Sequence, residues 1–248
     1  MRLPKQKGDD SIANFDLSIS DLMAALVLIF ILLLSTQFLE IKKQSNMASE
    51  YRGKQQALID ALRREFGDDL AQWSAEIDPK TLVIRFRNED PNGEQIGFDP
   101  NSSVLKERFK RILDDFFPRY IDVLTRAEFI GQIEEVRIEG HTANPFDQFN
   151  NREGYSASIR QSQERANNVL FHVLSRYEAG EAIVSDKLDW VRNHIAASGF
   201  AYAKPVLDGE GKPDWRQSRR VEFKVRTNFD EVIQKLIEIS DGGGYANP

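Results

Sequence analysis

Apolar and polar positions fall into three regimes along the chain. The first is an unbroken apolar run, LMAALVLIFILLL, from Leu22 to Leu34. Widened to Ile19–Leu39 and wound at about 1.5 Å per residue, it reaches roughly 31 Å, the thickness of a bilayer core. The pattern predicts a transmembrane helix over 19–39, preceded by a short tail, 1–18. A signal peptide and a buried core helix share such a run. Here it leads into Ser35-Thr36-Gln37-Phe38-Leu39 and then Glu40, without a small-residue cleavage pattern. That favours an uncleaved single-pass anchor.

The second regime, 40–80, is polar and helix-prone. Leu58, Leu62, Phe66, Leu70, Trp73 and Ile77 recur every three or four positions, with Gly67 as a possible break. This predicts a helical linker whose apolar stripe packs on a partner helix or on its own domain. The third regime alternates between strand and helix periods. Strands are expected at 81–87, 136–140 and 221–225. Helices are expected at 103–117, resuming at 120–129 after Pro118, and at 158–177 and 188–197. Ala166, Val169, Leu170, Val173 and Leu174 mark the buried face of the 158–177 helix. The reading is one α/β sandwich over 81–228, followed by a C-terminal helix and tail, 229–248.

Composition narrows the function classes. Of 248 residues, 33 are Lys or Arg and 39 are Asp or Glu, a net charge of −6. That balance argues against a nucleic-acid partner held by bulk phosphate attraction. With no cysteine, disulfides, thiolate metal sites and cysteine nucleophiles are excluded. The mean hydropathy of −0.47 hides the apolar run by averaging it with a charged remainder. Arg2, Lys5 and Lys7 before the span are matched by Lys42, Lys43, Arg52 and Lys54 after it, so charge bias gives no orientation. His141, His172 and His194 lack metal-ligand spacing, and no nucleophile elbow, phosphate loop or dinucleotide fingerprint occurs. No enzyme, metal or cofactor is expected. Arg216, Arg219 and Arg220 form a local basic cluster, either a solvated face or part of an anion site.

Three segments together carry a resemblance. Val136–Thr142 reads VRIEGHT, Ser162–Val169 reads SQERANNV, and Arg219–Phe223 reads RRVEF. In order and spacing these resemble the OmpA-like peptidoglycan-binding domain, with Phe98–Ser103 similar to its early F-x-x-x-S segment. The resemblance implies a βαβαβ two-layer sandwich that clamps the carboxylate and amine of diaminopimelate. A guanidinium suits the carboxylate because its fork is bidentate. It assigns peptidoglycan binding to His141, Thr142, Ser158, Ser162, Arg165 and Arg220. Arg165 matches the family's binding arginine. Ala143 stands where the family has Asp, and Ser158 where it has Asn. Asp147, inside an insertion-like stretch from 144 to 155, is the candidate replacement acid.

Such a domain behind one N-terminal helix is also the layout of stator subunits of the MotB and ZorB type. Ser20-Asp21-Leu22-Met23-Ala24-Ala25-Leu26 is similar to the motif that opens their membrane helix, and the compact span looks closer to ZorB of the Zorya anti-phage system. An ionised carboxylate within a bilayer is costly unless it meets water, a partner or a proton. One charge crossing about 100 mV releases roughly 2.3 kcal/mol. The resemblance therefore implies that Asp21 carries ions and couples their flow to movement. The plainer reading is a helix cap at the headgroups. Ser35 and Thr36 either face a pore or bond back to their helix. A lone helix would leave its acid facing lipid, so a multi-span partner of the MotA or ZorA type and a dimer of this chain are expected. The resemblance places the chain in a bacterial inner membrane, N-terminus cytoplasmic and domain periplasmic. A passive tether between membrane and peptidoglycan is the alternative function.

Overall fold

The computed structural model describes residues 9–78, 80–143, 152–178 and 187–228. The expected 229–248 helix and tail and Asp147 lie outside the described residues. The chain divides into two compact units, Met1–Arg52 and Gly53–Pro248.

Helix α1, Asp9–Phe66, supplies the first unit and the start of the second. Within the first, Leu22–Lys43 is a 22-residue stretch of mean hydropathy 2.5 with none of it buried. A helix satisfies its own backbone, so an apolar surface of this length is what a bilayer requires of a spanning segment. Thr36 Oγ1 donates to the Leu33 carbonyl at 2.8 Å, so this hydroxyl bonds back to its helix.

In the second unit the last turns of α1 are core. Leu58, Ile59, Leu62 and Phe66 are buried, as is Trp73 in the turn that follows. The apolar stripe is thus spent on this unit's own interior. The core reaches back well before the 81 boundary drawn from strand periodicity, because the helix packs its apolar face under the sheet. Beyond α1 come β1 (Ala75–Asp78), β2 (Val83–Arg87), α2 (Glu107–Leu124), β3 (Ile133–His141), α3 (Arg152–Glu178), α4 (Leu188–His194), β4 (Ile195–Gly199), α5 (Trp215–Ser218) and β5 (Arg220–Thr227).

Among the described residues five strands form one sheet in the order β1-β2-β5-β3-β4. β5 runs antiparallel to both β2 and β3, while β3 and β4 are parallel. The last described strand therefore inserts between two earlier ones. Helices cover one face, giving the α/β sandwich that the sequence predicts.

Three elements differ from expectation. Pro118 lies inside a continuous α2. Phe116, Phe117, Tyr120 and Ile121 on both sides of it are buried, and that packing outweighs the roughly 3 kcal/mol an interior proline costs. The 188–197 helix stops at His194, and Ile195–Gly199 pairs with β3 as a parallel strand. Ile77, read as the end of a helical stripe, lies in β1 opposite Ile84. Each short segment takes its conformation from the sheet edge that it meets.

Candidate functional site

The C-terminal end of β3, the start of β5 and the middle of α3 converge at one rim of the sheet. Two glycines let α3 approach. A Cβ on Gly140 would lie 2.1 Å from the Ser162 carbonyl oxygen, and one on Gly199 would lie 2.4 Å from the Gln163 nitrogen. Ser162, fully buried, donates to the Ile159 carbonyl and accepts from the Ala201 N–H at 2.9 Å. Thr142 donates its own N–H to the Ala201 carbonyl at 2.8 Å. Both residues fasten the turn after β4 to the rim.

One turn along α3, Arg165 is 5% exposed. Its Nε donates to the Ser102 carbonyl at 2.9 Å, a second nitrogen reaches the Asp99 carbonyl at 3.3 Å, and the guanidinium sits 4.8 Å over the Phe98 ring. Among the described residues no carboxylate pairs with it. Burial, with Arg219 adding a like charge, lowers its pKa to about 10. A buried cation supported by carbonyl dipoles and an aromatic face gains most from an incoming carboxylate. Ser158 lies about two turns upstream of Arg165 on α3, half-buried.

Arg165, His141 and Arg220 line one small cavity of about 10 Å³ together with Phe98 and Asn88, the size of a single water. Of the six residues assigned to ligand binding, these three share that space. Ser162 and Thr142 support its edge through Ala201, and Ser158 stands apart. Ala143, at the family's acidic position, is buried. Asp21 lies on α1, and its side chain is outside the described residues.

Beside the cavity, on the sheet face away from the helices, lies a dry charged cluster. Glu139 and His141 alternate on β3, and Glu222 on β5 pairs in register with Glu139. All three are buried. His141 Nε2 stands 3.5 Å from Glu139 Oε2 and 3.7 Å from Glu222 Oε2, and Phe200 stacks on its ring at 5.4 Å. Burial lowers the His141 pKa against the pull of the two carboxylates. Glu222 accepts from Arg220 Nε at 2.6 Å and Arg85 Nε at 2.8 Å. Although burial opposes it, the charges of Arg220 and His141 and these bonds bring the Glu222 carboxyl down to about 2. Among the described residues, Glu139, His141 and Glu222 form a group that could hold a metal ion. Sequence reasoning missed Glu139 and Glu222 as site residues. Their signal was present in E-G-H and R-V-E, where period-two alternation puts both acids on the histidine's face.

The basic cluster resolves into two systems. Arg216 and Arg219 both pair with Glu89, whereas Arg220 turns inward to Glu222. Neither system is an open cationic face.

No known family profile matches the chain. It is similar to the Zorya protein ZorB of Escherichia coli strain ATCC 8739, at 38% identity over 242 residues, covering 96% of this chain and 97% of that one. The chain belongs to the ZorB family. Among solved structures it is similar to a putative MotB-like protein from Desulfovibrio vulgaris, with 19% identity, a TM-score of 0.47, and 73% of this chain and 98% of that one covered. It is also similar to the periplasmic domain of Helicobacter pylori MotB, at 13% identity and a TM-score of 0.42, covering 69% of this chain and 92% of that one. The ZorB relationship takes in both the apolar helix and the sheet domain.

Proposed function

We propose that this ZorB-family chain is the ion-conducting, wall-anchored subunit of a membrane motor driven by an ion gradient and acting in phage defence. The observation that carries the reading is kinship with a Zorya protein along 96% of the chain. In this reading Asp21, immediately before the apolar stretch of α1, binds and releases the transported ion. A multi-span membrane subunit and a second copy of this chain seal the pathway around it, since a carboxylate facing lipid is costly. The N-terminus is cytoplasmic, and the sheet domain lies in the periplasm. Arg165 receives a peptidoglycan carboxylate there, with His141, Thr142, Ser162 and Arg220 shaping the rim and Ser158 reaching the ligand from farther along α3. The buried guanidinium on Phe98, without a carboxylate partner among the described residues, supports that assignment.

Asp21→Asn tests it, expressed with the multi-span subunit at matched level and membrane insertion. Phage protection and ion conductance should both be lost. If both persist, the chain is a passive tether; Asp21 is then an acid at the headgroup level and not the helix cap of the plainer reading, since α1 already begins at Asp9. Arg165→Ala in the same assay separates the two halves of the reading: conductance should survive while protection and binding to isolated sacculi fall.

A further inference from the structure

Glu139 and Glu222, beside the Arg165 cavity, have no part in conduction or anchoring as argued above, and His141 has only its edge on that cavity. We propose that Glu139, His141 and Glu222 bind one divalent cation of the zinc class across the β3–β5 pair.

Topology supplies the first support. Glu139 and His141 are two residues apart on β3, and Glu222 is the register partner of Glu139, so all three project from one face of the sheet. Spacing supplies the second. Their ligand atoms lie within 4.8 Å of one another, with His141 Nε2 at 3.5 and 3.7 Å from the two carboxylate oxygens. Metal bonds of about 2.0–2.2 Å in a tetrahedron set ligand atoms about 3.3–3.6 Å apart. The cluster is already near that geometry.

Unmet bonding supplies the third. His141 is 1% exposed, yet neither ring nitrogen has a hydrogen-bond partner among the described residues, and neither does Glu139 Oε1. Buried polar atoms are ordinarily satisfied, so an unpartnered imidazole aimed at two carboxylates calls for a ligand. The donor set of one imidazole nitrogen and two carboxylate oxygens suits zinc.

The surrounding cations are placed compatibly. Arg220 and Arg85 both bond Glu222 Oε1, leaving Oε2 turned to His141. Contacts of this kind orient a ligand and are part of many metal sites. Lys204 Nζ sits 4.0 Å from Glu139 Oε2 and 4.2 Å over the Phe200 ring, on a half-exposed side chain at the edge of the cluster. A bound ion would join the ends of β3 and β5 next to the cavity that His141 shares with Arg165, stiffening the rim.

The test uses the full chain without a histidine tag, in detergent micelles, stripped by chelator and titrated with Zn²⁺ and Co²⁺. One Zn²⁺ per chain by elemental analysis, a thermal midpoint raised by Zn²⁺ and restored by chelator, and a tetrahedral Co²⁺ absorption band are expected. Glu139→Gln, nearly isosteric, should weaken Zn²⁺ binding by at least about 10-fold while leaving the metal-free circular dichroism unchanged. Lys204→Gln should tighten binding by removing a competing charge. Background zinc content or no Co²⁺ band in the wild-type chain would overturn the proposal without recourse to any variant. Wild-type zinc affinity in Glu139→Gln would overturn it as well, by placing the ion elsewhere.

Discussion

On one face of the sheet Phe86, Ile138, Val221 and Phe223 bury hydrocarbon, and Phe116 of α2 sits 4.9 Å from Phe86 and 5.0 Å from Phe223. On the other face Glu139, His141, Arg220 and Glu222 are just as dry but carry charge or hydrogen-bonding capacity. The first face is held by area removed from water and by close packing, which any well-shaped apolar group can supply. The second has no such latitude. A buried carboxylate must keep its guanidinium, because losing one partner strands the other in a low dielectric. This asymmetry fixes strand register. A slip of one residue on β5 would drive Arg220 and Glu222 into the aromatic layer and turn Phe223 outward.

The comparison can be broken from either side. The largest effect is expected from Phe223→Ala, at about 4 kcal/mol, because four aromatic rings (Phe86, Phe116, Phe117 and Tyr120) converge on Phe223 and cannot all collapse into the space. Denaturant unfolding followed by tryptophan fluorescence would measure it. A loss under 1 kcal/mol would mean that the aromatic layer is loosely packed. Arg220→Met should cost about 3 kcal/mol although it removes little volume, since it leaves the Glu222 carboxylate short of its buried partner. If that variant unfolds like wild type, the charged face is solvated and the contrast between the faces disappears.

The smallest effect concerns pH and sharpens the comparison. Burial pushes the Tyr120 hydroxyl above its usual 10, so the unfolded chain loses that proton first and stability should fall as pH rises past 10. The hydroxyl has no hydrogen-bond partner among the described residues. Tyr120→Phe should therefore flatten the alkaline limb and, at neutral pH, leave stability unchanged or raise it by up to about 1 kcal/mol. On the charged face, desolvation opposes ionisation of Glu135, but hydrogen bonds from Arg137 and Arg226 bring its pKa below 4.5. That contribution is present above pH 4.5 and fades as pH falls toward the lowered native value, and Glu135→Gln should remove it. Unfolding midpoints across pH for the wild type and both variants would show the two limbs, or show one shared limb and refute the assignment.

Much of the architecture was legible in the chain because it rests on local period. The 22–34 run, the alternation in VIRFR, VRIEGH and RVEFKV, and the helical face of Ala166, Val169 and Val173 each state how a segment meets a nonpolar environment. Segments too short or too mixed to carry a period were not legible. Ile195–Gly199 is a strand only because β3 offers an edge, and α2 runs through Pro118 only because aromatic side chains on both sides are already buried. The site divides in the same way. Arg165 and His141 stood out in their motifs, while Glu222 joined His141 only when β5 paired with β3 across some eighty residues of chain.

The sequence by itself determined an apolar span, a charged remainder and alternating elements, since hydrophobic period acts between neighbours a few residues apart. Tertiary structure alone decided that Leu58–Phe66 is core and that Arg216 and Arg219 part company with Arg220. It also brought two carboxylates to an unpartnered imidazole. Those outcomes depend on which distant groups share a low-dielectric space, and the partner of a buried charge is chosen by the fold's register rather than by its neighbours in the chain.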